Sequence, residues 1–350
     1  MVTAVQIGDR RVGSGSPCFV IAEAGVNHNG RVELACELAS KARAAGADAV
    51  KFQTFKADQL VTRDAPKAEY QRESTFGGES QFAMLRALEL SDAAHREILT
   101  HCRAIGMLFL SSPFDESSAD FLDALGVPAF KVSSGELTNL PLLAHVARKG
   151  KPIIVSTGMA HLAEVDEAVA TIRRAGQAEI VLLQCVTNYP AAPADVNLRA
   201  MDTMAEAFHV PVGYSDHTVG NEVAFAAVAR GACVVEKHFT LSRDLPGPDH
   251  KASMEPDELA ALVRGIRAVE AALGTGRKEP AASEAATAAV ARRSLVAAST
   301  IPAGAVLTDA AVVSRRPGTG LSPSMRAHVV GRTARVVIPE GTVISLGMLT

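Results

Sequence analysis

Two histidines stand just behind acidic residues at the ends of apolar runs: His217 in Tyr-Ser-Asp-His (214–217) and His238 in Glu-Lys-His (236–238). Imidazole nitrogens bind divalent first-row metals well, and two of them leave coordination positions open for substrate or water. Lys51 and Lys131 follow apolar residues in the same way. A lysine that points into a dry interior needs an anion beside it, because an unpaired buried ammonium is expensive. Glu23, Glu136 and Glu236 are the internal candidates. Hydroxyls stand at equivalent places, Ser112, Ser134, Ser156, Thr187 and Ser215, and hydroxyl donors beside lysine charge suit a phosphate or a carboxylate. Glu23 is placed to orient a water, whereas Glu136 and Asp249 sit in loops where they can accept hydrogen bonds from sugar hydroxyls. Gln53 and Tyr189 complete the polar set.

These residues share one kind of position. Eight apolar runs, at 18–25, 49–53, 107–112, 129–134, 152–157, 180–185, 210–216 and 233–240, alternate with stretches of helical periodicity. Such alternation predicts a (β/α)8 TIM barrel, whose active site is built where the strands end. Seven of the eight runs close on a polar residue, and the run at 180–185 reaches Thr187 and Tyr189 just beyond. Helices are expected at 31–45, 91–105, 115–125, 138–149, 161–175, 197–207, 219–230 and 255–273, with Ser91 and Asp115 as N-caps and Gly46 past a helix end. One long interval, residues 57–80, is polar and rich in turn formers, and reads equally as a mobile lid over the barrel mouth or as a rigid surface excursion. His95, His101, His145, His161, His209 and His328 fall on expected helices or surface turns and read as solvated, while His28 and His250 lie in loops at the mouth.

The barrel reading covers residues 1–273; a small, polar stretch at 274–289 reads as a linker, and 290–350 as a separate β-rich domain. That domain contains an internal echo, Ile-Pro-Ala-Gly-Ala-Val at 301–306 and Ile-Pro-Glu-Gly-Thr-Val at 338–343, which matches a type I turn with proline second and glycine fourth. About 60 residues make a small core, so this domain is expected to lean on a partner. With 48% hydrophobic and 21% charged residues the chain can bury a large core. A net charge of −3 argues against nucleic acid or an anionic membrane surface as the main partner. No apolar run is long enough for a membrane span and no signal region is visible, so a cytoplasmic location is expected. Five scattered cysteines fit buried reduced thiols rather than a disulfide framework or a zinc site.

Taken together, IAEAGVNHNG, KFQTFKADQL, SSPFD, KVSSGEL, STGM, GYSDHT and EKHFTLSRDLPGPDHKASMEPDEL resemble the bacterial sialic acid (N-acetylneuraminate) synthases. RRPGTGLSP and GRTARVVIPEGTVI are similar to the antifreeze-like (SAF) domain that ends those enzymes. The resemblance implies condensation of phosphoenolpyruvate with an open-chain N-acetylated hexosamine such as N-acetylmannosamine, giving a nine-carbon 2-keto acid and phosphate. It implies a divalent metal, Mn²⁺ first, with Mg²⁺ or Co²⁺ as alternatives, held by His217 and His238. Phosphoenolpyruvate would be held by Lys51, Ser112, Lys131, Ser134, Ser156, Thr187 and Ser215, and the sugar by Gln53, Glu136, Tyr189 and Asp249. Glu23, Lys51 and Lys131 would carry catalysis. Arg316 would reach the N-acetyl group in a partner subunit's barrel, which implies a domain-swapped homodimer. Relatives that take 2,4-diacetamido-trideoxyhexoses and make legionaminic or pseudaminic acid share this framework. A synthase for a phosphorylated sugar is the nearest enzyme alternative, and a non-enzymatic carbohydrate-binding protein a more distant one.

Overall fold

The computed structural model of the chain describes residues 4–68, 71, 72, 80–177 and 179–350, and it divides into two compact units, Met1–Gly274 and Thr275–Thr350. The first unit opens with an antiparallel hairpin of β1 (Val5–Ile7) and β2 (Arg10–Val12), a feature the sequence analysis lacks. Eight parallel strands follow: β3 (Phe19–Gly25), β4 (Ala49–Thr54), β5 (Leu108–Pro113), β6 (Phe130–Val132), β7 (Ile153–Ser156), β8 (Ile180–Cys185), β9 (Val212–Asp216) and β10 (Val234–His238). Their order is β5-β4-β3-β10-β9-β8-β7-β6. The end strands β5 and β6 lie side by side and complete a TIM-barrel-like ring.

Strand periodicity explains how one short run serves both core and site. Successive side chains point to opposite faces, so every second residue enters the barrel. The deeper inward positions are apolar: Phe19 and Ile21, Ala49, Leu110, Ala129, Ile154, Val181 and Leu183, and Val234 form one buried cluster. The hairpin adds Val5, Ile7 and Val12 to that cluster and so seals the end of the barrel opposite the mouth. The alternate residues, Val20, Val50, Phe52, Phe109, Phe130, Val155, Leu182 and Val235, belong to the larger core between strands and helices. Further along seven of the eight strands the inward residue turns polar, at Glu23, Lys51, Ser112, Lys131, Ser156, Ser215 and Glu236, while β8 presents Cys185.

The expected helices form, with small shifts at their ends. Ser91 caps Asp92–Ala104 by accepting from Ala94 N, and Asp115 caps Glu116–Leu125 by accepting from Ser118 N. The lid expectation falls partly on residues 69, 70 and 73–79, which lie outside the described residues. Beside them are two helices the sequence analysis does not anticipate, Ala57–Leu60 and Gln81–Leu88. No helix among the described residues is long and apolar enough to cross a membrane. All five cysteines are free, four of them buried.

The second unit has its own core, including Leu295, Ile301, Leu307, Val312, Val329, Ile338 and Ile344, around the antiparallel pair β11 (Ser294–Ala297) and β12 (Val312–Arg315). The two echoed segments pair with each other: Ile301 N donates to Ile338 O at 2.8 Å and Ile338 N to Ile301 O at 2.9 Å. Their turns differ from the expected type I. Pro302 O accepts from Ala305 N and Pro339 O from Thr342 N, so proline is first and glycine third. Gly304 and Gly341 have φ of +79° and +78°, the left-handed backbone that the third position of a type II turn requires. Residues 274–289, read as linker, are partly helical, because the alanine-rich run Ala285–Ala291 favours a helix by propensity alone.

Candidate active site

At the polar end of the barrel the strand tips enclose a cavity of about 380 Å³. Fourteen of the fifteen sequence-predicted residues line it: Glu23, Lys51, Gln53, Ser112, Lys131, Ser134, Glu136, Ser156, Thr187, Tyr189, Ser215, His217, His238 and Asp249. The fifteenth, Arg316, belongs to the second unit, where it is exposed one residue beyond β12.

The floor is ionic. Lys51 is 3% exposed and Lys131 1%. Lys51 Nζ lies 2.7 Å from Glu23 Oε2 and donates to Ser112 Oγ at 3.2 Å. Lys131 Nζ donates to Ser156 Oγ at 2.8 Å. Glu236 bridges the two cations, 3.8 Å from Lys51 and 3.4 Å from Lys131, and accepts from Ser215 Oγ at 3.1 Å. The lysines therefore have internal partners, as a buried ammonium demands, and they also face a cavity.

Burial and neighbours separate the two carboxylates. Burial works against a charge on Glu236, but Lys131 and Lys51 outweigh it and hold its pKa down at about 2. Glu23 is pushed up to about 7 by burial, which Lys51 only partly offsets and the charge on Glu236 reinforces. Burial opposes the charge on Lys51, yet Glu23 and Glu236 raise its pKa, whereas burial leaves that of Lys131 lowered. Asp249 is pushed up to about 6, again by burial. Two carboxyls held near neutrality beside a committed carboxylate are an acid–base arrangement rather than a plain ion pair.

Two hydroxyls, one carboxylate oxygen and one ring nitrogen have unmet hydrogen-bonding capacity. Thr187 Oγ1, Ser133 Oγ, Glu236 Oε2 and His238 Nδ1 are buried with no hydrogen-bond partner within the chain. Buried polar groups are ordinarily paired, so such a cluster around one cavity suits the binding of a polar molecule. Ser133 was not singled out from the sequence; its only signal is its place beside Ser134 in Lys-Val-Ser-Ser. Ser134 and Glu136 form a short 3-10 turn, with Ser134 Oγ accepting from Gly158 N at 3.0 Å and Glu136 Oε2 from Asn139 Nδ2 at 2.8 Å.

The histidine pair fits two ligands of a metal ion. The rings lie 5.3 Å apart, and Tyr189 packs on both, at 4.1 Å from His217 and 5.4 Å from His238. A carbonyl only accepts, so the 2.7 Å contact of His217 Nδ1 with Val186 O puts a proton on Nδ1 and makes Nε2 the ligating nitrogen once that ring is neutral; burial lowers its pKa, but Cys185 and that carbonyl outweigh it and raise the value. Burial pushes the His238 pKa well below its ordinary value and keeps that ring neutral. No group of three or more His, Cys, Asp or Glu able to hold a metal occurs among the described residues. An ion held by the two rings would keep its other positions open to substrate or water.

Among the other histidines, His161, His209 and His328 are exposed as expected, and His95 needs correction. His95 is buried rather than solvated, because it lies on the inner face of its helix between Thr54 Oγ1 (2.9 Å) and Ser91 O (3.0 Å). His28 and His250 are fully buried loop struts: His28 Nδ1 accepts from Gly30 N, and His250 joins Thr240 to Asn29.

The fold and cavity define a (β/α)8 barrel with a charged, hydroxyl-lined mouth. The pattern of the NeuB family matches residues 38–278 and that of the SAF domain residues 292–350; the chain belongs to the NeuB family and ends in a SAF domain. It is 48% identical to an N,N'-diacetyllegionaminic acid synthase of Legionella pneumophila over 95% of this chain and 94% of that protein. It is 37% identical to the human N-acetylneuraminate-9-phosphate synthase over 96% and 93%. Among solved structures, an N-acetylneuraminic acid (sialic acid) synthetase from Leptospira borgpetersenii, crystallised with citrate, aligns with a TM-score of 0.72 at 33% identity, covering 82% of this chain and 95% of that one.

Proposed function

We propose that this chain is a phosphoenolpyruvate-dependent synthase that builds N,N'-diacetyllegionaminic acid from a 2,4-diacetamido-2,4,6-trideoxymannose. The observation that carries the reading is the convergence of two buried lysines, their hydroxyl ring and the two histidines on one cavity. The choice of acceptor rests on similarity: 48% identity to a legionaminic acid synthase against 37% to an N-acetylneuraminate-9-phosphate synthase. This ranks the diacetamido sugar ahead of N-acetylmannosamine, the acceptor suggested first by the sequence motifs.

In this reading Lys51 and Lys131, with Ser112, Ser134, Ser156, Thr187 and Ser215, bind the phosphate and carboxylate of phosphoenolpyruvate and stabilise the leaving phosphate. C3 of the enol attacks C1 of the open-chain sugar; water adds at C2, and the C2–O bond breaks to release phosphate. Glu23, 2.7 Å from Lys51 and poised near neutrality, orients that water and takes its proton. His217 and His238 hold a divalent metal, Mn²⁺ or a similar ion. Such an ion supplies Lewis acidity toward the acceptor carbonyl. Gln53, Glu136, Tyr189 and Asp249 orient the sugar, and Arg316 from a partner subunit's SAF domain contacts its acylamino group in a domain-swapped homodimer.

The test is phosphate release from phosphoenolpyruvate with the diacetamido sugar, in Mn²⁺ and in EDTA. Mn²⁺-dependent release with a nine-carbon keto acid as product supports the reading. Release undiminished in EDTA removes the metal role, and no release at all overturns the synthase assignment.

A further inference from the structure

The cavity has a second wall unlike its floor. Leu60, Val61, Met84, Leu85, Leu88 and Phe114 line the same cavity as the lysines. Met84 and Leu88 are buried in a small core with Val26 and Phe55, and Leu60, Leu85 and Phe114 pack on it half-exposed. Phe114 meets Phe55 edge-to-face at 6.1 Å. The two helices that carry most of this wall are tied together. Arg86 Nη1 donates to Asp58 Oδ2 at 2.8 Å, and Ala57 N donates to Glu89 Oε1 at 2.6 Å. The polar groups on the same side are engaged with one another: Gln71 Oε1 accepts from Ala68 N at 3.0 Å and from Gln81 Nε2 at 3.4 Å.

In a sugar whose reacting carbon lies at the ionic floor, the far end is the part left to meet these apolar side chains. A hydroxyl pressed there loses water and gains no partner, whereas a methyl gains apolar contact. We propose that this wall is the specificity subsite for the methyl-ended substituents at the far end of the acceptor, and that it selects deoxy, acylated sugars over polyhydroxylated ones. The inference rests on the synthase reading and names which residues of this chain would impose the choice. A methyl at C6 and an acetyl at C4 present the same chemistry, so the acceptors must separate them.

The experiment measures kcat/KM for four acceptors: N-acetylmannosamine, 2-acetamido-2,6-dideoxymannose, 2,4-diacetamido-2,4-dideoxymannose and 2,4-diacetamido-2,4,6-trideoxymannose. Wild type is expected to prefer the last over the first by about 10- to 100-fold, the range one apolar group commands in a pocket. The two intermediate sugars show whether C6 or C4 meets the wall. Leu60→Gln and Leu85→Gln, at half-exposed positions, should each reduce the preference about 10-fold with an unchanged KM for phosphoenolpyruvate; Leu60→Met should keep it. Equal use of all four sugars by wild type, or a preference that survives both glutamine variants, overturns the inference and leaves the synthase reading intact. Absence of phosphate release with every sugar overturns that reading, and the inference with it.

Discussion

Strand β10 carries two buried ionic groups side by side in sequence, and they behave differently. Lys237 faces out of the barrel and is paired: its Nζ lies 2.6 Å from Asp216 Oδ2 and 2.8 Å from Thr218 O. Asp216 Oδ1 in turn accepts from Tyr214 OH, Thr218 N and Thr218 Oγ1. Glu236, one residue earlier, faces in and meets two lysines, yet one of its oxygens has no hydrogen bond, and Thr187 and Ser133 beside the same cavity are unpaired too. Both groups are desolvated, but the inner one keeps a buried carboxylate oxygen without a hydrogen bond. A paired buried network is a structural device; one with unpaired atoms around a cavity is built to be completed by something else.

That contrast can be broken by mutation. Lys237→Met should be the most damaging change to stability, because it strands Asp216 as an unpaired buried charge, at about 3–5 kcal/mol. Denaturant unfolding measures it, and a loss under 1 kcal/mol would mean that the outer pair is dispensable. Lys131→Met should act the other way round. Glu236 keeps Lys51, so the fold survives, while kcat/KM for phosphoenolpyruvate falls about 10²- to 10³-fold, as expected for loss of one stabilising donor. A stability loss as large as that of Lys237→Met, with little change in kcat/KM, would erase the distinction between the two groups.

The inner set was legible in the sequence and much of the outer one was not, for a physical reason. Inward residues repeat at every second position, so Glu23, Lys51, Lys131, Ser156 and Ser215 could be placed once each strand was recognised. The pairing of Lys237 with Asp216 depends on the register of β9 against β10, which one strand alone does not reveal. His95 was misread because helical periodicity marks a face but not what that face touches. The hairpin Val5–Val12 went unseen because three-residue strands carry too little alternation to register. The apolar wall was hidden for a related reason: it is assembled from two short helices within and beside an interval whose overall composition is polar.

A smaller effect tests how tightly the unpaired hydroxyls are held. A Cβ at Gly158 would lie 2.2 Å from Thr187 Oγ1 and 2.8 Å from Ser134 Oγ. Gly158→Ala must therefore shift the loop or turn Thr187 out of place, which takes its hydroxyl from the cavity. About 1–3 kcal/mol of stability should be lost, with a raised KM for phosphoenolpyruvate. Adding Thr187→Ala should recover part of the stability and none of the KM, since it removes the clash and the donor together. Recovery of both in the double variant would show that Thr187 serves packing alone.

The smallest effect concerns pH and separates the two carboxylates of the inner set. Glu23 has a folded pKa of about 7, above its ordinary value near 4.5. Between those limits the folded chain binds more protons than the unfolded one, so stability falls as pH rises through that window and levels off above it. Asp249, raised to about 6, adds to the fall over the lower part of the window. Glu236, held down at about 2, has the opposite sign: its contribution is full above about 4.5 and is lost only as pH drops toward 2. One proton limits the slope to about 1.4 kcal/mol per pH unit. Urea unfolding of wild type and Glu23→Gln from pH 4.5 to 8 should therefore give curves that differ in slope below about 7 and run parallel above it. If the two slopes coincide throughout, Glu23 is ionised across the range, and the distinction between a committed and a poised carboxylate at the floor of the cavity is lost.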